Sequence, residues 1–244
     1  MSSTTLEIEL RELAGAAVVT ARGVLDRSTY EKLRSALVKC AVDEPRAVIA
    51  DLSGVEVLDS ASFALFAQLS AQLSDWPGLP LLLVTGSGHA AARLPSHVRR
   101  FVRVCSSVPE AITHIGERPV RRAVRRALPN GFAATALCRR FVQETCARWH
   151  VAAEDTEDAA VIAGELVENT LVHTYCAPEL RLELRRGLLT VAVSDDDPTP
   201  AEPRARQDGH GGLALVAALA RIWGCEPTMQ GGKVVWAVLR VDAR

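Results

Sequence analysis

The sequence predicts an α/β protein of two domains, and three observations carry that expectation. Short apolar runs of strand length alternate with longer segments of helical periodicity along the whole chain. A segment holding five arginines, from Arg118 to Arg126 and punctuated by Pro119 and Pro129, interrupts this patterning near the middle. The composition, 48% apolar and 23% charged over 244 residues, suits one large or two small globular domains and excludes disordered and fibrous classes.

In the first half, residues 6–10 and 17–24 read as strands, 28–42 as a helix, and 47–52 as a buried strand with a continuous apolar run. Capping residues over 59–62 open a run of helix formers from Phe63 to Ser70, and 79–84 repeats the buried-strand pattern. The arginine segment, 118–127, reads as a linker between domains at 1–117 and 128–244. Arg121, Arg122, Arg125 and Arg126 would share helical faces there, as a docking strip or as a plain solvated connector. In the second half, residues 133–150 and 156–173 have helical periodicity. Residues 180–184 and 189–194 form a hairpin around Arg185-Arg-Gly187; 213–223 reads as a helix, and 234–241 as an alternating strand.

Charge excludes some functions. The two halves are mildly acidic around a basic centre, and the net charge of −1 offers no field for nucleic acid. No apolar stretch reaches the roughly 20 residues that span a bilayer, and the polar, acidic start is unlike a leader, so a cytoplasmic location is expected. The six cysteines are scattered, with no Cys-x-x-Cys pair; they read as small apolar core residues, with neither disulfide framework nor zinc site indicated.

A serine placed after a buried strand, at the start of a helix, can cap the helix or accept phosphate. Ser60 and Ser62 occupy such a place. Gly23-Val-Leu-Asp26, the helix after it, Ile49-Ala-Asp-Leu-Ser-Gly-Val55 and Val57-Leu-Asp-Ser-Ala-Ser62 follow in order. Over roughly residues 5–116 the chain resembles a STAS domain, the anti-sigma factor antagonist module. That resemblance implies a mixed sheet with helices and a phosphorylatable serine in an Asp-Ser-Ser-Gly motif. Here Ala61 stands at the phosphorylated place and Ser62 at the glycine, so the usual switch is absent; Ser60 and Ser62 are the remaining candidate acceptors.

In the second half, a spacing of four residues puts Glu165, Asn169 and His173 on one helical face, a set able to hold magnesium or simply to be solvated. Asp195 ends an apolar strand. Gly209-His-Gly-Gly212 opens a helix, where bare backbone N–H groups can approach phosphate, or forms a flexible loop. In this order, across about 128–241, the three elements resemble the nucleotide site of the histidine-kinase-like ATPase superfamily, most closely its anti-sigma factor serine kinase branch. The resemblance implies an α/β sandwich that binds ATP with Mg²⁺. It makes Asn169 the magnesium ligand, Glu165 the general base, His173 a neighbour on the same face, and Asp195 the partner of the adenine amino group. Gly209, Gly211 and Gly212 would surround the phosphates. Asp195-Asp-Asp-Pro-Thr199 departs from the wider family's Asp-x-Gly-x-Gly.

The expected function is an ATP-binding regulator of a bacterial partner-switching system, phosphorylating or sequestering an antagonist or sigma-factor-like protein, without nucleic acid or membrane as direct partner. A homodimer and a non-catalytic, nucleotide-dependent docking module with a degenerate STAS domain both stay open.

Overall fold

The computed structural model describes residues 5–58, 62–116, 121–174, 176–201 and 212–242. Two compact units divide the chain, Met1–Arg118 and Pro119–Arg244.

The first unit opens with β1 (Leu6–Leu13) and β2 (Ala16–Leu25), joined by a two-residue turn in which Ala14 and Gly15 both have positive φ. That primed geometry matches the twist of the antiparallel strands it connects. Asp26 caps α1 (Arg27–Val42) by accepting from the backbone N–H of Ser28 and Thr29, and Thr29 Oγ1 accepts in return from the Asp26 N–H. The chain continues through β3 (Val48–Val57), α2 (Ser62–Asp75), β4 (Leu81–Val84), α3 (His89–Arg93), a 3₁₀ turn over 96–100, β5 (Arg103–Cys105) and α4 (Val108–Thr113). The sheet order is β1-β2-β3-β4-β5, with every pair after the first parallel. A parallel sheet is covered on both faces, which explains the unbroken apolar runs of β3 and β4. Val48, Ala50, Leu81 and Leu83 face Leu33, Leu37, Phe63 and Phe66, whereas Ile49, Leu82 and Val84 face Val108 and Ala111.

The second unit consists of β6 (Arg122–Ala127), α5 (Ala133–Trp149), α6 (Ala153–His173), β7 (Glu179–Arg185), β8 (Leu188–Asp195), α7 (Gly212–Leu219), β9 (Ile222–Pro227) and β10 (Lys233–Arg240). Its sheet is antiparallel throughout, in the order β6-β7-β8-β10-β9. One sheet face, with Leu180, Leu182, Val191, Val193, Val235 and Ala237, packs on Cys138, Val142, Ile162, Leu166 and Val216 of the helices. The mixed α/β class is thus as the sequence predicts.

Two expectations are corrected. Residues 122–127, expected to belong to a linker with helical faces, form β6 and pair with β7. Ion pairs across that edge, Arg121 with Glu183 at 3.3 Å and Arg125 with Glu179 at 3.2 Å, hold the arginine-rich strand, and Arg126 lies over the Phe141 ring. The helix expected over 213–223 ends at Leu219, because Ile222 and Trp223 already pair with Val238 and Ala237 of β10.

Candidate functional site

The candidate residues of the second unit that the structure describes sit on α6, β8 and the start of α7. Helix α6 buries Ala159, Ala163, Leu166, Val167 and Thr170, which leaves Glu165 and Asn169 half-buried and His173 exposed along the adjoining stripe. Asn169 and His173 line a cavity of about 140 Å³ together with Thr174, Asp197, Thr199, Pro200, Ala201 and Lys233. Glu165 points to the start of α7: a Cβ on Gly212 would lie 2.3 Å from its Oε2, so only glycine admits the carboxylate there. The unpaired N–H groups and positive dipole end of a helix favour a carboxylate at such a place.

Asp195 ends β8 opposite Lys233, the first residue of β10. The strands come close here because residue 232 is glycine; a Cβ on it would lie 2.0 Å from the Asp195 carbonyl oxygen. Asp195 Oδ1 accepts from Lys233 Nζ at 2.8 Å and from the Asp197 N–H at 2.9 Å, while Oδ2 accepts from Thr170 Oγ1 at 3.2 Å. Lys233 Nζ also donates to the Asp197 carbonyl at 3.0 Å. Hydrogen bonds from the backbone and side chain of Thr199 hold the Asp197 carboxyl below the usual carboxylate range. These bonds fix the turn after β8 where the sequence lacks the glycine motif.

The structure brings Glu165 to Gly212 and sets Asn169 and His173 on one cavity wall; sequence reasoning assigned no role to Lys233 or Thr170. Lysine at the head of an apolar strand, directly after Gly-Gly, was the available signal. Gly209 and Gly211 lie outside the described residues. The cavity offers hard oxygen donors from Asn169, Asp197, Thr174 and Thr199, a set suited to magnesium with coordinated water.

In the first unit, Ser60 lies outside the described residues. Ser62 begins α2 fully buried, and its hydroxyl has no hydrogen-bond partner among the described residues. That burial counts against Ser62 as an acceptor in this conformation. The cysteines are free, and burial pushes the Cys138 thiol up to about 12 and the Cys40 thiol up to about 11. Cys105, Glu110 and His114 approach within 4.8 Å, a grouping the sequence did not indicate. Ser107 caps α4, and the Glu110 carboxylate is already engaged, accepting from the Ser106 N–H at 2.7 Å and from its hydroxyl at 2.5 Å.

Residues 7–93 match the STAS domain family, and residues 128–238 match the family of histidine kinase-like ATPase domains. Among curated proteins none matches this chain. A solved anti-sigma factor antagonist from Mycobacterium paratuberculosis is similar at 24% identity over 47% of this chain and 97% of its own, with a TM-score of 0.40. The RsbU and RsbW domains of a Mycobacterium tuberculosis protein are similar at 20% identity, over 50% of this chain and 33% of that one, with a TM-score of 0.39. The unphosphorylated anti-sigma factor antagonist SpoIIAA is similar at 18% identity, over 45% of this chain and 96% of its own, with a TM-score of 0.35. No helix among the described residues is long and apolar enough to cross a membrane. The first family match lies within the first unit and the second within the unit that carries the cavity, so the chain is a fusion of a STAS domain to a histidine kinase-like ATPase domain.

Proposed function

We propose that the ATPase domain binds Mg·ATP in the cavity beside α6, and that the chain is a partner-switching regulator which phosphorylates a serine of an antagonist-type protein. One observation carries this reading: α6 sets Glu165 against the start of α7 and, one turn on, places Asn169 on the cavity wall. In this reading Asn169 supplies an amide oxygen to magnesium, which neutralises phosphate charge when bound. Glu165 takes the proton of the seryl hydroxyl as that oxygen bonds to the γ-phosphorus, and ADP leaves with the electron pair of the broken bond.

A non-catalytic docking module is the second reading, favoured by Ala61 and the buried Ser62, which leave the chain's own STAS domain without the usual switch. Glu165→Gln separates the two, since it keeps shape and removes the base. The kinase reading expects the variant to bind Mg·ATP as the wild type does but to transfer phosphate to a STAS antagonist at least ~100-fold more slowly, measured with labelled ATP. Binding without transfer by either protein establishes the docking module. Equal transfer by both defeats the assignment of Glu165.

A further inference from the structure

We propose that Cys105, Glu110 and His114 form a zinc site, in which the thiolate, one carboxylate oxygen and one imidazole nitrogen are the protein ligands and water completes the tetrahedron. The three residues lie within the first unit, so the proposal is independent of the nucleotide reading. Cys105 ends β5, and α4 begins three residues later at Val108. Ser107 caps that helix by accepting from the Glu110 N–H at 3.3 Å, which sets Glu110 in the first turn; His114 follows four residues on, at the C-cap, on the same side. The turn therefore brings the sulfur, a Glu110 oxygen and a His114 ring nitrogen within 4.8 Å of one another.

The two carboxylate oxygens of Glu110 divide their work. Oε2 accepts from both the N–H and the hydroxyl of Ser106, whereas Oε1 is the atom that faces His114 Nε2, at 4.0 Å. A ligating carboxylate oriented by hydrogen bonds to its other oxygen is the usual support of a metal site. Zinc bound at its ordinary lengths to sulfur, nitrogen and oxygen sets tetrahedral donors roughly 3.3–3.6 Å apart. Cys105 is buried in the apolar cluster with Leu82, Val84, Val108 and Ala111, which fixes the sulfur, while the Glu110 and His114 side chains are exposed enough to admit the ion and close the remaining distance. The donor set selects the metal. A thiolate and an imidazole with one carboxylate suit zinc, whereas magnesium and calcium take oxygen ligands. The thiol gives its proton to solvent as the ion binds. Zinc there ties the first turn and the C-cap of α4 to the end of β5, and a helix of six residues depends on such tertiary ties to hold its shape.

The test titrates the full, reduced chain with Zn²⁺ in competition with a chromophoric chelator, without nucleotide and in excess Mg²⁺, and repeats the titration with Co²⁺ as a spectroscopic stand-in for zinc. The wild type is expected to bind zinc, and its cobalt form to show the thiolate-to-cobalt charge-transfer band of a cysteine ligand. His114→Ala, a change at an exposed side chain, should bind zinc at least ~10-fold more weakly, since even the loss of a group that only supports a ligand costs about that much. Cys105→Ala should abolish the charge-transfer band. Absence of zinc binding by the wild type overturns the proposal, as does a wild-type cobalt spectrum without the thiolate band. Equal zinc affinity in wild type and His114→Ala means that the ion is held elsewhere and overturns it too. Should Cys105→Ala fail to fold, His114→Ala and the wild-type cobalt spectrum decide: weaker zinc binding in the variant together with the band supports the site, and the lack of either overturns it.

Discussion

Ser62 and Asp195 are both buried polar side chains, one in each domain, and the fold treats them in opposite ways. Ser62 starts α2 with a hydroxyl that meets no hydrogen-bond partner among the described residues. Asp195 receives three donors from three elements, α6, the turn after β8, and β10. Buried polar groups that are fully satisfied fix a geometry, whereas an unsatisfied one only costs free energy. The ATPase domain therefore has a built polar site, whereas Ser62 of the STAS domain is a small side chain that packs without a partner among the described residues.

Asp195→Ala would strike this contrast hardest. It leaves the Lys233 ammonium buried beside a missing partner, and breaking a buried pair from one side costs about 3–5 kcal/mol. Urea denaturation of wild type and variant measures this directly. A loss below about 1 kcal/mol would show that Asp195 and Lys233 are hydrated in solution, as exposed pairs are. Ser62→Ala lies at the other extreme. Removing a buried hydroxyl that has no partner among the described residues should leave stability unchanged or raise it by up to about 1 kcal/mol, in the same denaturation experiment. A clear loss of stability would mean that the hydroxyl is satisfied, and the two positions would then no longer differ in kind.

Most of the fold was legible in the chain because its main elements obey simple periodicities. The β7–β8 hairpin falls around the residues expected, with Arg186 and Gly187 at positive φ in the turn, and helices α5 and α6 follow their apolar stripes. Illegible elements were those whose stability comes from partners distant in sequence. β6 is a strand because it pairs along its length with β7, where Arg125 reaches Glu179 and the preceding Arg121 reaches Glu183, and read alone the same arginines look solvated. β9 carries a glycine and a proline, and its strand character comes from pairing with β10, where the Trp236 indole lies against Gly224. In the site, helical spacing was enough to group Glu165, Asn169 and His173. It could not reveal that Lys233, 38 residues beyond Asp195, would be its cross-strand neighbour.

The central claim is that α6 and the strand ends beside it form a magnesium-dependent nucleotide site, and calorimetric titration with ATP tests it most directly. Wild type and Asn169→Ala would each be titrated with and without Mg²⁺. An amide oxygen on the cavity wall is a hard ligand for that ion, and alanine at the same helical position keeps the helix intact. The wild type should bind ATP with magnesium and far more weakly without it, while Asn169→Ala should remain folded and lose the magnesium-dependent binding. Equal affinity in the two proteins, or wild-type binding indifferent to magnesium, would contradict the account.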